Sequence, residues 1–379
     1  MRILLVGTSG YAVGYVDLLL KGHENAELVG AVDPYIENSP RKKALEDAKI
    51  PIYENMQEFY KADKADLAII CTPTHLHCEM SRYALSKGSY VLCEKPAAAT
   101  ESDVLAMLSA EKKYSRFIAI GYQWSYSDAI KSLKRDIISG KFGKALSMKS
   151  AISWPRNTDY YNRGSKWAGR VTKDGRMILD SVASNACAHY IHNMLFLLGD
   201  KMSESALPTD VKGDCVRAND IENFDTCSLR IMTDKGVPLY FIASHATDKN
   251  KDPEFVYEFE KASIVYAQND RKDIRAVYKD GRVESYKDPF ERPFGKVDDC
   301  INAVKEGTTP ICTVGTALAH TRLIEMIYAN IPVRNFNREL VFYNSDKRAF
   351  YVQTLFEKMY ECYKKEKLLS ELYPDILGD

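Results

Sequence analysis

Five short apolar segments, separated by helical stretches, dominate the first third of this 379-residue chain. Each segment has four to six residues and reads as a buried β-strand; they are Arg2–Val6, Glu27–Val32, Asp66–Cys71, Ser89–Cys93 and Phe117–Ile120. Parallel neighbours in a sheet need a long crossover between them, which is usually a helix. The alternation therefore predicts an α/β fold with a doubly wound parallel sheet.

Glycine or polar residues follow each of the five predicted strands, as Gly7–Gly14, Asp33, Thr72-Pro73, Glu94-Lys95-Pro96 and Gln123. Ligands of open parallel sheets bind in the crevice at the carboxyl ends of the strands. The charged pair Glu94-Lys95 could instead be a solvated loop pair. Five polar strand ends together favour a ligand crevice at this edge.

The first strand end resembles a dinucleotide-binding loop. In the G-x-G-x-x-G pattern, Gly7 takes the first place, Ser9 the second and Ala12 the third. Ser9 departs from the pattern, although Gly10 could allow a close approach of the pyrophosphate one residue later. The loop predicts cofactor contacts at Gly7, Ser9, Gly10, Tyr11 and Ala12, and the alternative is a turn that uses glycine for geometry alone.

Asp33 ends the second strand about 20 residues after the glycine loop, where an acid accepts from the ribose hydroxyls of NAD and repels the 2′-phosphate of NADP. Arg41, Lys42 and Lys43 follow and could hold that phosphate, but they also fit the solvated start of a helix. We expect NAD as the cofactor and leave NADP open.

Charge and cysteine content exclude several classes of protein. Lys plus Arg and Asp plus Glu are both 52, so the chain has no basic footprint for nucleic acid or an anionic membrane. No apolar run approaches the roughly 20 residues of a membrane helix. The nine cysteines form no CxxC pair, which disfavours a disulfide framework or zinc ribbon. We expect a cytoplasmic protein that binds neither nucleic acid nor membrane.

After Lys144, predicted strands follow one another without helices between them. They are Ala145–Ser153, Cys227–Thr233, Leu239–His245, Phe255–Glu260, Ser263–Gln268 and Arg275–Tyr278. Helices are predicted at Pro293–Glu306, Gly315–Asn330 and, as one amphipathic helix, Asp346–Leu372. Consecutive strands indicate antiparallel pairing, so we predict domains at 1–122 and 123–379, the second an α+β domain with a mainly antiparallel sheet.

The stretch CTPTHLHCEMSRYALSKGSYVLCEKP, residues 71–96, resembles the Gfo/Idh/MocA oxidoreductases, which are named for glucose–fructose oxidoreductase, inositol dehydrogenase and a rhizopine-catabolism protein. GYQWSY at 121–126 is similar to the next strand end of that family. The resemblance implies a Rossmann domain at the N-terminus. It also implies a second domain whose open sheet serves substrate binding and assembly into a homodimer or homotetramer.

The resemblance further implies roles for individual residues. Lys95 would lie in the active site, before a proline whose peptide bond is often cis, and Glu94 would lie on the nicotinamide side. Gln123 would lie near the nicotinamide. Thr72, Pro73 and His77 would line the cofactor cleft.

The segment 178–199 carries Asn185, His189 and His192, spaced by four and three as on one face of a helix. Apolar residues, such as Ile191 and Leu195, occupy another face, as expected for a helix that lines a wet cleft. The resemblance makes His189 the catalytic histidine and puts Asn185 and His192 where the family has acids. Two histidines with Cys187 or Asp180 make a weak zinc pattern, and we expect no metal.

The segment 153–170 is dense in aromatic residues, asparagine and arginine, which suit a polyhydroxylated or acidic ligand. Packing in a surface loop is the alternative for any single residue there. The predicted substrate contacts are Lys95, Tyr161, Arg163, Trp167, His189 and His192.

These residues predict hydride transfer between a nicotinamide and a hydroxyl or keto carbon of a sugar, an inositol or a sugar derivative. His189, oriented by Asn185, would be the general base, and Lys95 would stabilise the alkoxide, with the two roles exchangeable. Two alternatives remain open. One is an NAD-dependent glycosidase that oxidises, eliminates and reduces again. The other is a dinucleotide-binding regulator without catalysis, because both family acids are absent.

Overall fold

The computed structural model describes residues 1–164 and 166–378. They form two compact units: a first unit of Met1–Tyr126 and Arg292–Leu318, and a second unit of Ser127–Glu291 and Ala319–Asp379. This division differs from the domains predicted at 1–122 and 123–379. The chain returns to the first unit at Arg292, and nothing in the sequence pattern indicated that return.

The first unit contains a six-stranded parallel sheet in the order β3-β2-β1-β4-β5-β6. Its strands are β1 (Arg2–Val6), β2 (Glu27–Val32), β3 (Ile52–Tyr53), β4 (Leu67–Ile70), β5 (Tyr90–Cys93) and β6 (Ile118–Ile120). The helices between them are α1 (Ala12–Leu20), α2 (Lys42–Asp47), α3 (Met56–Ala62), α4 (His77–Ser86) and α5 (Glu101–Tyr114). The order reverses at β1, so β1 and β4 flank the switch point at which such sheets bind ligands. The predicted doubly wound parallel sheet is confirmed.

The second unit contains a nine-stranded sheet in the order β16-β15-β14-β13-β7-β12-β11-β10-β17. Neighbours are antiparallel except in the pairs β7/β12 and β10/β17, so the predicted open, mainly antiparallel sheet is confirmed. The later strands are β7 (Ala145–Ser153), β8 (Thr172–Lys173), β9 (Arg176–Met177), β10 (Pro208–Arg217), β11 (Thr226–Thr233), β12 (Pro238–Ser244), β13 (Lys251–Phe259), β14 (Ala262–Ala267), β15 (Arg271–Tyr278), β16 (Val283–Ser285), β17 (Val333–Asn335), β18 (Val341–Asn344) and β19 (Ala349–Val352).

The later helices are α6 (Asp128–Ile138), α7 (Thr158–Asn162), α8 (Ala188–Leu197), α9 (Gly295–Glu306), α10 (Val314–Asn330), α11 (Leu355–Lys365) and α12 (Leu369–Leu372). Helix α9 belongs to the first unit, and the division between the units falls within α10. No helix in the described residues is long and apolar enough to cross a membrane.

Several elements differ from the sequence prediction, which did not include the short strands β3, β8, β9, β16, β17 and β18. Strand β10 was not predicted, because its acidic, lysine and glycine residues interrupt the apolar alternation. The single helix predicted at Asp346–Leu372 is wrong: β19 pairs with β18 as a hairpin, α11 begins only at Leu355, and the separate helix α12 follows α11. Three of the four residues of β19, Phe350, Tyr351 and Val352, have aromatic or β-branched side chains that fit a pleated strand better than a helix.

The core of the first unit explains why its strands are continuous apolar runs. Ile3 and Leu5 of β1 and Leu67 and Ile69 of β4 are fully buried. Val297 of α9 packs into the same cluster, as do other residues of that helix. Strands of a parallel sheet are covered on both faces, so they are apolar throughout rather than alternating. Polar groups are consequently displaced to the strand ends, where the candidate site lies.

Candidate functional site

The glycine loop between β1 and α1 is held by Asp33, which ends β2. Asp33 Oδ2 accepts hydrogen bonds from Thr8 N at 3.0 Å and from Thr8 Oγ1 at 2.6 Å. Its other oxygen accepts from Tyr35 N at 2.9 Å. Asp33 is only 9% exposed, so its carboxylate fixes the loop from a nearly buried position. The structure thus brings together the two strand ends from which the dinucleotide site was predicted.

Two glycines of this loop have distinct reasons to be glycine. A Cβ on Gly7 would lie 2.4 Å from the carbonyl oxygen of Cys71, so this position lets β1 and β4 approach closely. Gly10 has a φ of +61°, and no heavy atom lies within 4 Å of where its Cβ would be. The space beside Gly10 is open to a ligand, and backbone N–H groups at the start of α1 suit a phosphate. The loop therefore fits a dinucleotide despite Ser9.

The basic residues after β2 are each held by an acid. Arg41 forms a two-point contact with Asp17, with nitrogen–oxygen distances of 2.7 and 2.8 Å. Lys42 lies 2.6 Å from Glu37 and Lys43 lies 2.9 Å from Asp47. A 2′-phosphate would compete with these carboxylates. The pairing favours the interpretation of residues 41–43 as a solvated helix start.

Glu94, the acid that follows β5, is buried rather than solvated, with 6% of its surface exposed. Its Oε1 accepts from Tyr15 Oη at 2.5 Å and pairs with the ammonium of Lys296. A Cβ on Gly121 would lie 2.7 Å from Oε1, so glycine at the end of β6 makes room for this carboxylate. The solvated-pair interpretation of Glu94 is wrong, because the carboxylate lies inside the first unit.

Lys296, near the start of α9, is the functional-site residue that sequence reasoning missed. Its side chain is 1% exposed, and its ammonium also lies 4.6 Å from the centroid of the Tyr11 ring. Burial opposes its charge, but Glu94 and Tyr11 hold the pKa of Lys296 above its ordinary value. Lysine on the buried face of α9, beside Val297 and Cys300, was a signal in the sequence. Its partner, however, is 202 residues away.

Tyr11 connects the glycine loop to the end of β6. Its hydroxyl donates to Gln123 Oε1 at 3.1 Å and accepts from Lys296 Nζ at 3.4 Å. Burial raises the pKa of Tyr11, against the opposing effect of Lys296. Three residues predicted separately, Tyr11, Glu94 and Gln123, therefore share one hydrogen-bonded group around the Lys296 ammonium.

His77, the first residue of α4, joins two loops instead of presenting a free ring to a cleft. Its Nδ1 lies 2.8 Å from the carbonyl oxygen of Pro96 and its Nε2 lies 2.7 Å from that of Thr72. Burial lowers the pKa of His77, although both carbonyls favour its protonated form. The ring is 1% exposed, so any effect on a cofactor would act through the positions of Thr72, Pro73 and Pro96.

Lys95 follows β5 and precedes a cis peptide bond to Pro96, as the resemblance implied. Its neighbours Glu94 and Pro96 are buried, whereas Lys95 is half-buried. The backbone N–H of Lys95 donates to Glu94 Oε2 at 3.3 Å, so the buried carboxylate also fixes the main chain of the lysine. Lys95 therefore lies at the carboxyl edge of the sheet on a backbone tied to the buried Glu94 carboxylate.

In the second unit, Asn185 and His189 do not share one regular helix, contrary to the sequence prediction. Asn185 lies in a π-helical turn at Val182–Ala186, and α8 begins only after Cys187. Every residue of α8 except His189 is buried. The predicted polar stripe opposite an apolar one is therefore wrong. Asn185, Ala186 and His189 nevertheless keep partial exposure, while the other residues from Ser181 to Leu197 are buried.

His192 lies in the interior of the second unit. It is 1% exposed, and its ring stacks on Phe196 with 5.8 Å between ring centroids. Burial, His320 and Lys134 together lower the pKa of His192 well below the usual range, so the ring is neutral. This geometry favours a structural role and does not support the predicted contact of His192 with substrate.

The predicted contacts Arg163 and Trp167 lie together with Tyr160. The Arg163 guanidinium lies 4.0 Å from the centroid of the Tyr160 ring and 5.5 Å from that of Trp167. Tyr161 packs edge-on against Tyr160 at 5.1 Å between ring centroids. Asp180, which could have carried charge in the histidine region, accepts from Gly169 N at 2.6 Å and so holds this loop.

Three buried histidines predict that acid destabilises the fold. His77, His192 and His245 all have lowered pKa values; burial, with Arg156 second, lowers the pKa of His245 to about 3. The unfolded chain binds protons at these sites near pH 6.5 and the folded one does not, so stability is lost as the pH falls. We expect His245 alone to cost about 1.4 kcal/mol at pH 5.5 relative to pH 7.5.

Urea unfolding at pH 7.5, 6.5 and 5.5 would measure this loss. In His245→Gln the loss should be smaller by about that amount, since glutamine does not titrate. Equal free energies of unfolding at the three pH values in the unchanged protein would contradict the prediction.

Comparison with known proteins finds a family match for the first unit's N-terminal part. Residues 1–122 match the Gfo/Idh/MocA family model, described as an oxidoreductase family with an NAD-binding Rossmann fold. Glucose-6-phosphate 3-dehydrogenase of Bacillus subtilis is 28% identical over 44% of this chain and 45% of its own length. Inositol 2-dehydrogenase of Serratia proteamaculans is 25% identical over 42% and 48%. The chain thus spans less than half the length of these relatives.

Solved structures show the same fold over most of the chain. The WlbA dehydrogenase of Chromobacterium violaceum, solved with NADH and UDP-GlcNAcA, superposes with a TM-score of 0.72 at 21% identity, over 87% of this chain and 93% of that one. UDP-N-acetylglucosamine 3-dehydrogenase GnnA of Acidithiobacillus ferrooxidans gives 0.70 at 15% identity, over 87% and 97%. The sequence match to the Gfo/Idh/MocA oxidoreductase family, with its NAD-binding Rossmann fold, therefore covers the first 122 residues of the chain.

Proposed function

We propose that this protein is an NAD-dependent dehydrogenase that acts on a hydroxyl carbon of a sugar, an inositol or a sugar derivative. The observation that carries the proposal is the placement of Lys95 at the carboxyl edge of an NAD-family sheet, half-buried and with its backbone fixed by Glu94. A positioned ammonium at this edge can stabilise an alkoxide as it forms. The curated relatives cited above, both named as dehydrogenases of a sugar phosphate or an inositol, support the same reaction.

The residues of this chain divide the work as follows. Lys95 donates a hydrogen bond to the substrate hydroxyl and stabilises the negative charge on its oxygen. His189 accepts the hydroxyl proton, oriented by Asn185, or exchanges this role with Lys95. When bound, NAD⁺ supplies the acceptor for the hydride that leaves the same carbon. Gly7, Ser9, Gly10, Tyr11, Ala12 and Asp33 would hold the dinucleotide, and Thr72, Pro73, His77, Glu94 and Gln123 would shape its nicotinamide end.

We expect NAD to be bound at least tenfold more tightly than NADP. Asp33 ends β2 beside the glycine loop, where an acid accepts from the ribose hydroxyls of NAD, and Arg41 is held by Asp17. Asp33→Asn should weaken NAD binding about tenfold, because a charge-assisted hydrogen bond contributes about 1.5–3 kcal/mol. Asp17→Asn should instead improve NADP binding by releasing Arg41. Nucleotide titrations followed by tyrosine and tryptophan fluorescence would measure both, and equal affinities for the two nucleotides would refute the preference.

The reaction itself is tested by following NADH formation with a panel of sugars, inositols and sugar acids. A hydroxyl substrate that yields stoichiometric NADH and the corresponding keto product would support the dehydrogenase. Release of sugar from a glycoside without net NADH would favour the NAD-dependent glycosidase. Tight NAD binding with no turnover of any polyol would favour a regulator, which the asparagine at 185 and the neutral His192 keep as a second candidate.

We propose that the protein is cytoplasmic and acts on a small-molecule substrate. We also propose that it assembles into a homodimer or homotetramer. All nine cysteines are free thiols in the structure and eight are buried, which suits a reducing compartment. Leu146 of β7 and Met232 of β11 are exposed on the large sheet, which suits burial against a second copy. Sedimentation analysis would test the assembly state.

A further inference from the structure

A cavity of about 540 Å³ lies within the second unit, between the segment that leaves β7 and the hairpin of β18 and β19. Ligand pockets for small molecules have volumes of this order. Six of its lining residues have polar or charged side chains: Arg156, Asn157, Asp159, Tyr160, Arg163 and Lys347. Three of the six are cations and one is an acid.

The one acid of this cavity is already engaged. Asp159 Oδ1 lies 2.8 Å from Arg348, a residue outside the lining, so it does not offset the lining cations. In residues 1–164 and 166–378 no carboxylate lies within ion-pair distance of Arg156 or Arg163, and the buried Arg156 Nε has no hydrogen-bond acceptor. The Lys347 ammonium donates to the backbone oxygen of Asp248, at 3.3 Å, and has no carboxylate partner among the described residues. The cavity therefore carries excess positive charge.

Aromatic rings hold the two guanidinium groups in place. Arg163 lies 4.0 Å and Arg156 5.1 Å from the centroid of the same Tyr160 ring. Arg156 also lies 5.8 Å from the Trp154 ring. A stacked guanidinium keeps its N–H edge available, and it loses little further freedom when it binds a planar anion. Two cations beside one ring repel each other unless an anion lies between them.

We propose that this cavity binds the anionic group of the substrate, a carboxylate or a phosphate, and that the substrate is therefore an acidic sugar. The inference rests on the proposed dehydrogenase function, and Arg163 connects the two, since it was predicted as a substrate contact. Arginine and lysine recognise carboxylate and phosphate through charge-assisted hydrogen bonds, and arginine can form two such bonds in parallel. Asn157 and Tyr160 would contact hydroxyl groups of the sugar ring.

The test measures binding of glucuronate, glucose 6-phosphate and glucose by titration calorimetry, with NAD present and with NAD absent. At least one of the two acids should bind tenfold or more tighter than glucose, and the acid that does so identifies carboxylate or phosphate. Arg156→Gln and Lys347→Gln should each reduce the ratio of acid to glucose affinity by tenfold or more. Lys272→Gln and Arg334→Gln remove the same charge from exposed positions outside the cavity and should leave the ratio unchanged.

Equal binding of the three sugars, or equal losses in the cavity variants and the exposed controls, would overturn the inference. NADH formation is measured separately on the same samples. If neutral sugars are oxidised as fast as acidic ones, and the cavity variants have no effect, the result supports the dehydrogenase function and contradicts the acidic-sugar inference. If the affinity for acidic sugars depends on the cavity cations but no sugar yields NADH, the result supports the anion site and contradicts the dehydrogenase function.

Discussion

Replacing Lys296 by methionine is expected to lower the free energy of unfolding by about 3–5 kcal/mol, because it leaves Glu94 charged and without its cation in the interior. Lys296 and Glu94 are 1% and 8% exposed, so water cannot solvate the remaining carboxylate. Tyr15 donates one hydrogen bond to that carboxylate, but it carries no compensating charge. The loss should therefore be much larger than for a surface ion pair.

Urea unfolding of three variants separates this effect from the removal of any lysine. Lys305→Met makes the same change at an exposed position of the same helix, and it should cost less than about 0.5 kcal/mol. Adding Glu94→Gln to Lys296→Met should recover much of the loss, since no uncompensated charge remains. A loss in Lys296→Met no larger than in Lys305→Met would contradict the buried ion pair.

Lys95→Ala and His189→Ala are each expected to lower kcat a hundredfold or more on any sugar that the wild-type protein oxidises. A proton-transfer residue contributes about 10²–10⁴ in rate, and removal of one group that stabilises an oxyanion costs about 10²–10³. Asn185→Ala should have a smaller effect, since Asn185 would act only through His189. Stopped-flow NADH absorbance with saturating substrate would measure all three.

Two controls connect that loss to chemistry. NAD affinity should change less than threefold in Lys95→Ala and His189→Ala, which would place the loss after nucleotide binding. Lys112→Ala, at an exposed position of α5, should keep wild-type turnover. If Lys95→Ala and His189→Ala both retain more than a tenth of wild-type kcat, neither residue acts as proposed.

The strand ends were predictable because one physical rule governs them. In a parallel sheet covered on both faces, polar groups can leave the core only at the ends of strands. Asp33, Lys95 and Gln123 were found by that rule. The rule did not predict the burial of Lys296, because a lysine within an amphipathic helix is ordinarily solvated. Its burial depends on an acid 202 residues earlier in the chain.

The histidine segment shows where periodicity misleads. Spacings of four and three predicted one polar helical face for Asn185, His189 and His192. The π-helical turn before α8 has more residues per turn than an α-helix. A spacing of four residues therefore does not place Asn185 on the same face as His189. His192 is accommodated in the interior as a neutral ring stacked on Phe196. Burial of all of α8 except His189 is a tertiary effect that local spacing does not encode.

The return of residues 292–318 to the first unit also affects how the chain can fold during synthesis. The carbonyl oxygen of Cys312 accepts from Ile120 N at 2.8 Å and from Tyr126 Oη at 2.9 Å, so this late segment covers the outer edge of β6. The ribosome must therefore synthesise residues 292–318, and all of the second unit that precedes them, before the nucleotide-binding unit can close. Until then the nascent chain exposes an unpaired strand edge and an uncompensated Glu94, a state in which chaperone binding would be most useful.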